Sequence, residues 1–163
     1  MKRRTVLLLG GGLVSTPAGI LAWNWLTGPT LPPGMSVETL NVVKDTVDRP
    51  RRKIKHHEAY SRIIAERDTA KQLLSDVNEF QPFISDTDFN HSYLLLIQSG
   101  ASSDTSLQLR SIQRSSEGLA VTVAITYPLS GHVVSDLTVH SLLIRITDDH
   151  RAVPHTVTVD ITE

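Results

Sequence analysis

The sequence predicts an α+β fold: a mostly antiparallel β-sheet with one packed helix, preceded by an N-terminal transmembrane or signal helix. Three observations carry this. Residues 118–128 place Leu119, Val121, Val123, Ile125 and Tyr127 on every second position, the period of a strand with one face on a core. Ala70, Leu73, Leu74 and Val77 stand at i, i+3, i+4 and i+7, one face of a helix. Residues 5–37 contain no charged side chain, and Lys2, Arg3 and Arg4 precede them.

Composition sets the frame. The chain of 163 residues is 40% hydrophobic and 20% charged, enough for one domain and an apolar segment and too short for two full domains. It has no cysteine, which excludes disulfides, thiolate metal sites and lipid-modified cysteine. Aromatics make up only 5%, so the core must rest on Leu, Ile and Val. Beyond residue 4 the balance is 13 basic against 17 acidic residues, a mildly acidic body that argues against nucleic acid as partner.

Residues 5–26 read as the anchor or signal. As a helix they would cover roughly 33 Å, the thickness of a bilayer core. Positive charge ahead of them predicts the N-terminus inside and the domain outside. Trp23 and Trp25 sit at the far end, where interfacial aromatics belong. Two outcomes stay open, a retained anchor and a cleaved signal. Arg3, Arg4, Thr5, Val6 and Leu7 resemble a twin-arginine export signal, with Lys2 where Ser or Thr is usual. Thr16 is bulky for the −3 position of cleavage after Ala18. A buried core helix fits less well, because Gly10, Gly11, Gly12 and Pro17 weaken a soluble helix. The glycines also mimic a dinucleotide fingerprint, but Ser15 ends it and Leu31, Pro32 and Pro33 stand where a ribose-binding acid belongs. No cofactor is expected. The organisation is therefore 1–26 signal peptide or anchor, 27–36 proline-rich linker and 37–163 extracytoplasmic domain.

Within the domain, residues 37–43 read as a first strand, and Ile63, Ile64 and Ala65 centre a second. Thr69 and Gln72 have the spacing of a capping box at the start of the helix. Pro82 and residues 85–90 read as a turn into residues 93–98, YLLLIQ, a continuously apolar strand covered on both faces. Leu107, Leu109 and Ile112 form the next strand. The change of spacing after Leu109 predicts a bulge, and residues 115–118 a hairpin turn. Residues 137–146 resume the sheet, with Leu142, Ile144 and Ile146 on one face and Val139 and Leu143 on the other. Val153, Val157, Val159 and Ile161 complete a final edge strand.

Thr87, Asp88 and Phe89, the strand at 93–98, the hairpin at 107–127 and the strand Thr138, Val139, His140, Ser141, Leu142, Leu143 together resemble small exported proteins of halophilic archaea. More distantly, the layout is similar to the PrcB-type C-terminal domain of a bacterial surface protease complex. The resemblance spans roughly the last 100 residues. Gly100, Ala101, Ser102 and Ser103 stand where the PrcB-type domain has a glycine pair. The resemblance implies an exported domain for binding or assembly and brings no catalytic residue.

Candidate chemistry is sparse. Residues 100–104, GASSD, partly mimic a nucleophile elbow, but lack its last glycine and following helix. The seven histidines show no metal-ligand spacing: His56, His57 and Glu58 are adjacent, and His132, His140, His150 and His155 are scattered. His140 and Ser141 are neighbours in a strand and point to opposite faces. Asp86, Asp88 and Asp104 suit turns better than calcium. No catalytic or metal residue is assigned. Arg49, Arg51, Arg52, Lys53 and Lys55 form an anion- or headgroup-binding patch in one reading and a solvated loop in the other. Asn90, His91 and Ser92 form a glycosylation sequon. The expected protein is exported or membrane-anchored at the cell membrane with its domain outside, or else secreted. It binds a protein or surface partner and is not an enzyme. The alternative is an extracytoplasmic hydrolase or metal-dependent enzyme using Ser102 and the histidine loops.

Overall fold

The computed structural model describes residues 28–44, 55, 57–129, 135–149 and 153–163. The expected anchor at 5–26 lies outside them. Among the described residues no helix is long and apolar enough to cross a membrane.

These residues form seven strands and two short helices: β1 Met35–Val42, β2 Ala59–Ile64, α1 Arg67–Leu73, α2 Phe80–Ser85, β3 Ser92–Ala101, β4 Ser106–Arg114, β5 Gly118–Thr126, β6 Thr138–Asp148 and β7 Thr156–Thr162. The strands divide into two sheets. The larger runs β1-β6-β3-β2 and the smaller β4-β5-β7. All pairs in the larger sheet are antiparallel, as is β4 with β5. β5 and β7 are parallel, because β6 crosses to the other sheet between them. The expected mostly antiparallel β-rich α+β class therefore holds, with two sheets and two helices in place of one of each.

Alternation builds three layers. Leu107, Leu109, Leu119, Val121, Val123 and Ile125 of the smaller sheet meet Tyr93, Leu95, Ile97, Leu142, Ile144 and Ile146 of the larger. The opposite face of the larger sheet offers Ile64, Leu94, Leu96 and Leu143 to Ala70, Leu74, Val77, Phe80 and Ile84 of the helical layer. β3 is buried along its whole length, which is why its sequence shows a continuous apolar run and no alternation. Each of its leucines removed from water contributes about 2 kcal/mol. β3 and β6 form the centre, and the strand at 118–126 is the middle of the smaller sheet only.

The helical layer departs from expectation in two places. α1 begins at Arg67, with Glu66 as its N-cap and no side-chain cap, so Thr69 lies inside the helix and the capping box does not form. Val77 still joins the same apolar cluster from the turn beyond α1. The segment read as a turn around Pro82 is α2. Pro82 occupies its first turn, where no intrahelical donor is lost, so it does not break the helix.

The bulge and the hairpin turn stand where expected. The β4–β5 register shifts between Leu109 and Ser111. The turn closes with Ser115 N–H donating to the Gly118 carbonyl at 2.8 Å. The chain is tied to β4 from Thr30 onward. Thr30 N–H donates to the Arg110 carbonyl and Ile112 N–H to the Thr30 carbonyl, both at 2.9 Å, a parallel bridge centred on Ser111. Leu31 packs against the inter-sheet core, and the Pro33 carbonyl accepts from Arg114 at 3.2 Å. Thr30 thus covers the outer edge of β4 beside its bulge, where backbone groups would otherwise be open to another strand.

Candidate functional site

The sandwich has two ends of different character. One holds the end of β1, the β3–β4 turn, the end of β5 and the start of β6. Here the polar residues singled out from sequence converge. Thr105 N–H and Oγ1 donate to the Ser102 carbonyl at 3.1 and 2.7 Å. His140 Nε2 lies 2.8 Å from the same oxygen. A carbonyl only accepts, so this contact places the imidazole proton on Nε2. Ser103 N–H donates to Asp136 Oδ1 at 2.9 Å, which holds the Asp136 carboxyl below its ordinary value.

The structure thus brings His140 to Ser102, a pair that the sequence separates by the β4–β5 hairpin and the loop before β6. The imidazole meets the backbone oxygen, however, and ties the β3–β4 turn to β6. Ser141 points to the opposite face, as the alternation requires. Its hydroxyl accepts from Gln98 Nε2 at 2.8 Å and donates to the Lys44 carbonyl at 2.6 Å. Ser99, the cross-strand partner of His140, faces the interior with it. Its hydroxyl is buried with no hydrogen-bond partner among the described residues. With Ser99 fully buried and His140 2% exposed, a substrate would have to enter between the sheets to reach them.

Other expected sites are dispersed. Arg49, Arg51, Arg52 and Lys53 lie outside the described residues, as do His56, His132 and His150. Lys55 is exposed, and its backbone N–H donates to the Glu58 carboxylate at 3.1 Å. Among the described residues no three His, Asp or Glu side chains are placed to hold a metal ion. Asn90 is exposed on a turn, where its N–H donates to Asp88 Oδ1 at 3.0 Å. Asp88 also meets His91 Nδ1 at 2.7 Å, and these bonds, that from His91 foremost, hold its carboxyl below the usual range. Ser92, the third sequon residue, is buried, with its hydroxyl 2.7 Å from that of Thr147.

Two arginine sites carry no sequence motif. Arg145 donates from Nε to Thr87 Oγ1, from Nη1 to Glu38 Oε2 and from Nη2 to the Phe83 carbonyl, at 3.0, 2.9 and 3.0 Å, and stacks on the Phe83 ring. Arg67 binds the Ser85 and Thr87 carbonyls at 2.9 and 2.6 Å. Together they satisfy carbonyls around the C-terminus of α2, where cations are favoured. Both are built for packing the helices onto the sheet. The only signal in sequence is an arginine amid the apolar run of β6, which shows that it is unusual and not what it meets.

Compared with family models, curated proteins and solved structures, the chain matches none.

Proposed function

We propose that this protein is an exported, membrane-anchored and non-catalytic domain that binds a protein or surface partner outside the cell. The observation that carries the reading is the charge-free apolar run at 5–26 behind Lys2, Arg3 and Arg4. An ionised side chain in a membrane-spanning helix is costly, and a run of this length without one suits a bilayer span with its basic flank inside. The commitment of His140 and Ser141 to backbone and side-chain bonds supports a binding role over catalysis.

Fractionation of cells expressing the full chain tests the reading. The protein is expected in the membrane fraction and to resist extraction at alkaline pH. Recovery in the soluble cytosolic fraction would contradict export and anchoring together. Recovery of a shortened chain in the medium would contradict anchoring alone.

A further inference from the structure

The position at which the chain docks on β4 determines which part of the domain can face the membrane. Among the described residues Thr30 is the first tied to the fold, and the apolar run ends at Leu26. Four residues span at most about 14 Å, fully extended. The domain is therefore held against the bilayer, with Gly28 as the joint.

Direction follows from the pairing. Thr30 runs parallel to β4 at Ser111, so residues before it head toward the Ser106 end of that strand. From Ser111 back to Ser106 is about 17 Å of strand. The reach of the short connection nearly equals that distance. The end of the sandwich that carries the β3–β4 turn is thus the end nearest the lipid.

That same end concentrates the exposed apolar side chains. Among the described residues the large exposed hydrophobics are Val43, Tyr127, Leu129, Leu137 and Val153. Val43 follows β1, Tyr127 and Leu129 follow β5, and Leu137 precedes β6, all at the Ser106 end. Leu129 is 87% exposed. Only Val153 lies elsewhere, before β7, whose Thr156 pairs with Gly118 at the opposite end.

Resting on the membrane anchoring proposed above, we infer that this end lies on the outer surface of the same membrane, with Tyr127, Leu129 and Leu137 entering the boundary between headgroups and acyl chains. Tyr127 is suited to that depth by its apolar ring and polar tip. Among the described residues Lys44 and Lys55 share this end with Asp104, Asp136 and Glu163, beside the exposed apolar side chains. The short tether makes it an intramolecular event at high effective concentration, so weak insertion suffices. The opposite end, with the β4–β5 turn, is left facing outward.

The chain has no cysteine, so single substitutions report cleanly. The full chain carrying Leu129→Cys, or Ser116→Cys in the β4–β5 turn, is reconstituted in phosphatidylcholine vesicles, labelled with an environment-sensitive fluorophore, and floated. Vesicles containing lipid with a quencher on the upper acyl chain are then compared with vesicles without it. The label at 129 is expected to lose at least half its emission and the label at 116 almost none. Failure of the full chain to float would overturn both anchoring and docking. Flotation with equal, negligible quenching at both positions would overturn docking alone. Protection of the 129 label from an aqueous quencher without lipid quenching would assign this end to a second copy of the chain and overturn the lipid contact.

Discussion

Arg114 and Asp148 join the two sheets: Nη2 of the arginine at the end of β4 lies 2.5 Å from Oδ1 of the aspartate at the end of β6. Asp148 is 6% exposed and Arg114 is partly open to solvent. The carboxylate is therefore the costlier group to deprive of its partner. Arg114→Met is expected to destabilise the domain by about 2 kcal/mol, below the full value for a deeply buried pair because the guanidinium is partly hydrated. Adding Asp148→Asn should recover part of the loss, since it removes the stranded charge. Denaturant unfolding of the two single variants and the double variant measures this coupling.

Tyr93 lies near that pair, and its hydroxyl is buried with no hydrogen-bond partner among the described residues. Burial foremost, and then the Asp148 carboxylate, pushes the phenol well above its ordinary value, so it stays neutral throughout the accessible pH range. Removing an unsatisfied buried hydroxyl without changing the ring costs nothing in bonding. Tyr93→Phe is expected to leave stability unchanged or raise it by about 0.5–1 kcal/mol. A clear loss in thermal unfolding would show that the hydroxyl has a partner.

Arg145 and Glu38 form an ion pair whose members should weigh very differently. Arg145 is 15% exposed and holds a hydroxyl, a carbonyl and an aromatic face besides the carboxylate, whereas Glu38 is 63% exposed. Arg145→Lys cannot reproduce the planar fork and is expected to cost about 2 kcal/mol. Glu38→Ala should cost less than about 0.5 kcal/mol. Comparable losses would mean that the surface pair, and not the clamp on α2, supplies the stability.

Acid sensitivity should trace in part to Asp88 and Asp136. Both carboxyls are held below their ordinary values in the folded state, by His91 and by Ser103 respectively. A depressed carboxyl stabilises the fold when ionised. That contribution is complete above the unfolded value near 4 and fades as pH falls toward the lower folded value. The double variant Asp88→Asn with Asp136→Asn is expected to show a shallower fall in unfolding temperature below pH 4. A slope equal to that of the unaltered protein would remove both groups from the account.

Gly118 fixes the meeting of β5 with β7. Its φ is +155°, and a Cβ there would come 2.1 Å from the Thr156 carbonyl oxygen, a backbone atom that cannot turn aside. Gly118→Ala is expected to cost about 2 kcal/mol or more through displaced backbone. Loss of hydrogen-exchange protection should be confined to β7 and the β5 residues beside it.

Much of the strand pattern was legible because burial writes itself into period. Leu119 to Ile125 alternate since one face of β5 meets the core, and Leu94 to Ile97 do not since β3 has no free face. The bulge near Arg110 and the turn at Ser115 were visible as a break in spacing and a small polar run. The division into two sheets was not legible, because Ile125 and Leu142 look alike whichever sheet they belong to. Nor was the parallel pairing of β7, which depends on β6 crossing between layers. α2 was hidden by Pro82, although Phe80, Phe83 and Ile84 already had helical spacing. The meeting of His140 with the Ser102 carbonyl depends on register alone, and neither residue type announces a backbone partner.

Labelling of Ser116→Cys in intact cells with a membrane-impermeant maleimide tests the central claim most directly. Ser116 is exposed on the turn expected to face away from the membrane. An exported, anchored domain predicts full labelling before lysis, on protein that then sediments with membranes. Labelling only after lysis would place the domain inside the cell and contradict the account.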